Sequence, residues 1–443
     1  MSAPSAGPSA VPSGHPDGVG PSDRAPAFCG VIEAFYGPPW TWDARLDVMA
    51  WCHQRGLRQY VYAPKDDPLH RERWREPYEA DALAGFERLV AAGTLEVGFG
   101  ISPGLSIDYA SADDRAALRA KVDQLVDLGV PLIALLLDDI PVRPGLGLEH
   151  AELTTWLRDH LGDRARLLMT PTEYTGDRST PYLDALAAGA PEDVPIGWTG
   201  PTVVCDEITV ADADARAASL GGRPPLLWDN YPVNVLAMAD RLFLGPGRGR
   251  GRGLVAACSG YFANPMLQPM ASKPALSSIA AVACGADPEA AWAADIGALQ
   301  TFAEACDGVR PWELVDAAIG TGDLDELEGW LRAARSCEAP GLDAEAGPWL
   351  EQVHAEARLG LTAVKLLRAT AEAASPQRLT QLSMGLAATW PAVRRDTVSV
   401  MGPRCSFRPV IAQDDDGEWS YRPAALTLDR NATDRLIRHA LGR

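Results

Sequence analysis

Residues that build metal sites and disulfides are sparse in this chain and poorly placed for either role. The eight cysteines stand as singles, with no C-x-x-C pair and no grouping with the seven histidines. Neither a zinc site nor a disulfide framework is expected, and no cofactor is implied. Cys29, Cys258 and Cys284 sit among apolar neighbours and read as small core residues. No apolar run approaches the ~20 residues that span a bilayer, so no membrane-crossing helix is expected. Positive charge is scarce too: 40 Lys and Arg against 59 Asp and Glu leave a net charge of −19. Such a surface repels nucleic acid and anionic membranes. The one basic cluster, PGRGRGRG (Pro246 to Gly253), is short and lies between apolar runs. It reads as a solvated loop rather than an RNA-binding tract. A phosphate-cradling turn is also missing, since the pair Gly98 and Gly100 is an incomplete motif inside a strand pattern.

The first 26 residues, rich in Pro, Ser and Gly, lack both a basic start and an apolar core. They are expected to be a disordered leader rather than a secretory signal, with a cytoplasmic location as the default. The rest has the 47% hydrophobic content of an ordinary globular protein, enough for two or three domains or one large barrel with an extension.

What the chain has in quantity is repetition. Short apolar runs begin at residues 28, 59, 96, 132, 167, 195, 225 and 254, alternating with amphipathic helical stretches. In Asp113 to Gly129, for example, Leu118, Val122, Leu125 and Leu128 share one face and Gly129 supplies the stop. A spacing of roughly 28–37 residues is the period of βα units. Eight such units predict an α/β fold, a closed (β/α)8 TIM-type barrel, over residues 27–290. A doubly wound sheet is the alternative, disfavoured by the even spacing and the missing nucleotide turn. Beyond it, Ala/Leu-rich patterns such as the stripe Leu350, Val353, Ala357, Leu361 and Val364 predict a helical C-terminal domain over 291–443. Within that part, the triple acid Asp414 to Asp416 reads as a solvated loop, and ATDRLIRHAL opens with a Thr/Asp cap signal.

A barrel of this kind carries its active site at the C-terminal ends of its strands. Functional side chains gather there: Glu33 and Tyr36; Lys65, Asp66 and Asp67; Asp138 and Asp139; Glu173 and Tyr174; Trp198 and Thr199; Trp228, Asp229 and Asn230; Asn264. Singly, each has a bland reading. An Asp pair caps a turn, a Trp packs a core, and a Lys beside two Asp forms a surface ion pair worth little. Together at one end of one barrel, carboxylates, amides, a lysine and aromatics suit a neutral, hydroxyl-rich ligand, a sugar.

The segments CGVIEAFYGPPW, YAPKDDPLHRERWRE, GISPGL, ALLLDDI, PTEY, WTGP, LLWDNYPVN, RLFLGP and ANPM resemble, in order, the catalytic domain of glycoside hydrolase family 84. That family comprises β-N-acetylglucosaminidases, O-GlcNAcases among them. The resemblance runs from about Phe28 to Lys273 and implies a retaining hydrolase of terminal β-linked GlcNAc. It also implies substrate-assisted catalysis, in which the substrate's own acetamido oxygen attacks C1 and gives an oxazoline. Asp138 then matches the carboxylate that steers and stabilises the acetamido group, and Asp139 the general acid and base. Close like charges are expected to keep one of the two protonated. Tyr174 matches a contact to the acetamido oxygen. Gly30 (through its backbone), Lys65, Asn230 and Asn264 match sugar-binding or pocket-organising positions, and Trp228 an aromatic wall. Two departures stand out. Ala34 replaces a common glycine, and Val235 occupies the place of an aspartate that grips O4 and O6. Three consequences stay open at this point: a weaker GlcNAc enzyme with Asn234 compensating, a hexosaminidase for a sugar altered at C4 or C6, or a binding protein with little turnover. A two-carboxylate glycosidase using Glu33 or Glu173 as nucleophile is a further alternative.

Overall fold

A computed structural model describes residues 27–251, 253–393, 398–402, 409–413, 419–423 and 431–442. Eight parallel strands form one sheet: β1 (Phe28–Glu33), β2 (Gln59–Tyr62), β3 (Glu96–Ile101), β4 (Leu132–Leu136), β5 (Arg166–Thr170), β6 (Gly197–Trp198), β7 (Leu226–Asp229) and β8 (Gly260–Ala263). Their order is β5-β4-β3-β2-β1-β8-β7-β6, and a bridge between Met169 and Ile196 joins the two ends into a (β/α)8 barrel. The helices around it are α1 (Trp42–His53), α2 (Ala80–Ala92), α3 (Ala112–Val126), α4 (Leu146–Leu161), α5 (Pro181–Gly189), α6 (Val210–Ser219) and α7 (Pro269–Ala283). Local signals set their ends. In α3, the Ser111 side chain accepts from the Asp114 amide, and Gly129 takes a φ of 93° just beyond the last turn.

Two layers of core follow from the alternation of the strands. Ile32 and Ala34, Val61 and Ala63, Leu132, Ala134 and Leu136, Leu168, Leu226 and Trp228, and Phe262 fill the barrel interior as one cluster. The residues between them, such as Val31, Tyr60, Ile133 and Leu227, face the helices in a second, larger cluster. Past the barrel come α8 (Pro288–Ile296), α9 (Gln300–Asp307), α10 (Val309–Thr321), α11 (Asp325–Arg335), α12 (Asp343–Ala371), α13 (Pro376–Val393) and α14 (Ala432–Ala440). The stripe of α12 is buried at Val353, Ala357, Leu361 and Val364, while Leu350 is half-buried.

Four expectations are corrected. The eighth apolar run is not a strand: Val255–Ala257 forms a single 3-10 turn, and β8 starts later, at Gly260. A Cβ at Gly260 would lie 2.6 Å from both Leu226 Cδ1 and Phe28 Cβ, so only glycine lets the chain enter between β1 and β7. Nor is the basic cluster solvated at Arg250. Arg250 is buried and makes a bidentate pair with Asp229 at 2.7 and 2.6 Å, because a carboxylate facing the helix layer needs a cation there. The last helix is capped by Asn431, whose side chain accepts from the Asp434 amide in the first turn, rather than by Thr or Asp. Finally, the region expected to be helical also contains an antiparallel hairpin, β9 (Pro409–Gln413) with β10 (Trp419–Pro423). The triple acid Asp414 to Asp416 lies outside the described residues.

Candidate active site

Strand alternation carried one step past each strand builds the site. Positions 34, 63, 136, 228 and 262 point into the barrel, so Tyr36, Lys65, Asp138, Asn230 and Asn264 continue the same inward columns. All five line one cavity of about 300 Å³ at the C-terminal mouth, together with Asp139, Tyr174, Trp228 and Val235. Ala34, Thr170 and Thr199 also line it, and loops supply Val203, Val204, Val233 and Leu236.

The two aspartates diverge because their backbones differ. Asp138 extends the inward column, whereas Asp139 turns into the left-handed region at φ 56°, a conformation that Asp tolerates better than most residues. Asp138 is buried and its Oδ2 is ion-paired with the Lys65 ammonium. Its Oδ1 is buried without a hydrogen-bond partner among the described residues. Asp139 is more open to solvent. Its Oδ1 accepts from the Tyr174 hydroxyl at 2.9 Å and its Oδ2 from the Tyr36 hydroxyl at 2.7 Å, with Arg71 Nη1 3.7 Å away.

The charges follow from these contacts. Burial alone would push the Asp139 carboxyl up, but Lys65, the two tyrosine hydrogen bonds and Arg71 outweigh it and hold the group below the usual aspartate range. The expectation that proximity keeps one aspartate protonated therefore fails for Asp139 in this arrangement, because four donors and cations offset the like charge. Burial, reinforced by the Asp139 charge, pushes the Tyr174 hydroxyl up, so it stays a donor. Burial and the charge of Lys65 push His70 down to about 3, so its ring adds no positive charge near the Lys65–Asp138 pair.

The amide side of the pocket is rigid. Asn230 Nδ2 donates to Val203 O at 2.8 Å, and its Oδ1 accepts from Trp228 Nε1 at 3.2 Å and Asn264 Nδ2 at 3.0 Å. Asn264 Oδ1 accepts from the Ala34 amide at 3.3 Å. Each asparagine keeps one amide hydrogen for a ligand.

Several expected participants lie elsewhere. Gly30 sits two positions below Ile32 in the inward column and does not line the cavity; a Cβ there would lie 2.0 Å from Gln59 O, so this glycine allows close strand packing. Asn234 is fully buried behind the wall, donating to Arg241 O at 2.9 Å and Gln268 Oε1 at 2.8 Å and accepting from the Leu267 amide at 3.1 Å. With its amide committed to the loop, it does not compensate for Val235. Glu33 points outward to Arg45 and Tyr60, and Glu173 is held by Thr180, so neither lines the cavity as a nucleophile would. Trp198 is a core residue donating to Gly176 O. Among the described residues no cluster of His, Cys, Asp or Glu suits a metal ion, and no helix is long and apolar enough to cross a membrane.

A parallel barrel with an acid pair, a lysine and amides around a sugar-sized mouth has the architecture of a glycoside hydrolase. A family model described as beta-N-acetylglucosaminidase matches residues 29–308, more than half of the chain, and the chain belongs to that family, glycoside hydrolase family 84. Protein O-GlcNAcase of Rattus norvegicus is 32% identical over 287 residues, 60% of this chain and 31% of that protein. The Mus musculus protein of the same name is 32% identical over 281 residues, 59% of this chain and 30% of its own length. The chain thus spans less than a third of these relatives. Among solved structures, a mutant O-GlcNAc hydrolase of Thermobaculum terrenum aligns with TM-score 0.75 and 28% identity, over 85% of this chain and 91% of that one. The structure of CpGH84B, at 24% identity and TM-score 0.77 over 85% of this chain and 75% of its own, bears on the fold alone.

Proposed function

We propose that this protein hydrolyses terminal β-linked 2-acetamido sugars with retention, using the substrate's acetamido oxygen as nucleophile. The observation that carries this reading is Asp138 Oδ1, a buried carboxylate oxygen with no partner among the described residues, lining the same cavity as Asp139 and Tyr174. An unsatisfied buried acceptor is costly, and an acetamido N–H is the donor that would satisfy it.

In the proposed cycle, Asp138 accepts the N–H and turns the carbonyl oxygen toward C1, while Lys65 holds the other carboxylate oxygen in place. The acetamido oxygen bonds to C1 as the glycosidic C1–O bond breaks, and Asp139, which takes up a proton once the bound sugar excludes water and draws the Tyr174 hydroxyl to its acetamido oxygen, delivers that proton to the departing oxygen. Asp139, now ionised and held by Tyr36, next takes a proton from water, which adds to C1 and reopens the oxazoline. Tyr174 stabilises the acetamido oxygen, Trp228 walls the ring, and Asn230 and Asn264 use their remaining amide hydrogens on ring hydroxyls. The barrel over 27–290 is the catalytic unit in this reading, and the helical part over 291–443 supports it.

The test compares aryl 2-acetamido-2-deoxy-β-glucoside with the matching aryl β-glucoside. The acetamido sugar is expected to turn over and the glucoside, which lacks the internal nucleophile, to be inert. Equal rates on both would sink the proposal.

A further inference from the structure

The end of the cavity across from the aspartates is apolar, and this bears on the substrate. Asp138 and Asp139 follow β4, while the loop after β7 reaches the mouth from three strands round the barrel. That loop contributes Val233, Val235, Leu236, Ala237 and Met238, none of which carries a hydrogen-bonding nitrogen or oxygen in its side chain. C1 and C4 are opposite corners of a pyranose ring. A sugar with C1 over the acid pair therefore turns its C4–C5 edge, with exocyclic C6, toward this loop.

Three features make the wall a built surface. Leu236 is 76% exposed and is held at φ 56°, a left-handed conformation that costs a leucine energy and gains it no burial. Asn234 fixes the loop from behind with its three hydrogen bonds, so Val235 and Leu236 meet the ligand without rearranging. Asn230, engaged by Val203 O, Trp228 and Asn264, keeps a single amide hydrogen, which the reading above spends on a ring hydroxyl rather than on C6. A C6 hydroxyl pressed against this wall would lose its water without gaining a protein partner.

Resting on the hydrolase reading above, we infer that the site is built for a 2-acetamido sugar with an apolar group in place of the free hydroxyl at C6, either a 6-deoxy methyl or a 6-O-acyl group. Apolar pockets that meet an extra hydroxyl discriminate against it by up to roughly 100-fold.

The experiment measures kcat/KM of the full chain on three aryl β-glycosides: GlcNAc, its 6-deoxy analogue and its 6-O-acetyl ester. At least one C6-apolar sugar is expected to exceed GlcNAc by about tenfold or more, and which of the two does so identifies the group. GlcNAc equal to or better than both overturns the inference while leaving the hydrolase reading intact. No turnover of any of the three overturns both. Val235→Asp, checked for an unchanged melting temperature, is expected to reverse the order by favouring GlcNAc. An unaltered ranking in a folded variant also counts against the inference.

Discussion

Asp139 meets two tyrosine hydroxyls, and what those donors do to its proton is the main question at the residue scale. Each favours the ionised form, so removing one raises the carboxyl's pKa and the proton is retained to higher pH. The basic limb of kcat/KM, which reports the free enzyme's acid, should therefore move up by about 1 pH unit in Tyr36→Phe, equal to ~1.4 kcal/mol. A limb that stays in place would show that Tyr36 only packs. The two aspartates should also separate by leaving group. Asp139→Asn is expected to lose roughly 100- to 10,000-fold on a poor leaving group and far less on dinitrophenolate, which departs without a proton. Asp138→Asn should lose heavily on both, since the acetamido group is unsteered whatever leaves. Identical leaving-group profiles for the two variants would contradict the division of roles.

Strands and loops differ in how much of themselves the sequence displays. Seven strands are legible because a strand buried on both faces is an uninterrupted apolar run. The eighth is missed because the apolar LVAAC segment is a turn, and the real strand is entered through Gly260. Within the site, period-two alternation is the stronger signal. It places Lys65, Asp138, Asn230 and Asn264 inward, and with them Tyr36, to which the family resemblance assigns no role. The same rule turns Glu33 and Asp229 outward, where Arg45 and Arg250 meet them. Arg71, Val203 and Leu236 come from irregular loops with no period to read, and Asn234 looks exposed in sequence because its buried partners are distant in the chain. The outward pair yields a prediction. Arg250→Met strands the buried Asp229 carboxylate and should cost about 3–5 kcal/mol in denaturant unfolding, much of it recovered when Asp229→Asn is added. A single variant as stable as the parent would mean that the pair contributes little.

Across the whole molecule, the helical region braces the loop that follows the apolar wall. Trp349 Nε1 and the Ser399 amide both donate to Asp240 O at 2.8 Å, Trp292 Nε1 donates to Leu244 O at 2.6 Å, and Arg248 pairs with Asp307. Glu345 on α12 accepts from the Met270 and Ala271 amides at 3.2 and 2.9 Å, capping the last barrel helix from outside the barrel. Glu345→Ala should lower stability by about 1 kcal/mol, read from the denaturant midpoint, with kcat/KM on the preferred aryl glycoside unchanged. A fall in kcat/KM at constant stability would instead tie α12 to the chemistry. In the proposed cycle all of these supports serve one event, attack by the substrate's own amide, and the most direct measurement of it is kcat/KM across N-acetyl, N-fluoroacetyl, N-difluoroacetyl and N-trifluoroacetyl aryl glycosides. Each fluorine withdraws charge from the attacking oxygen, so the rate is predicted to fall steeply and monotonically along the series; a flat series would contradict the account.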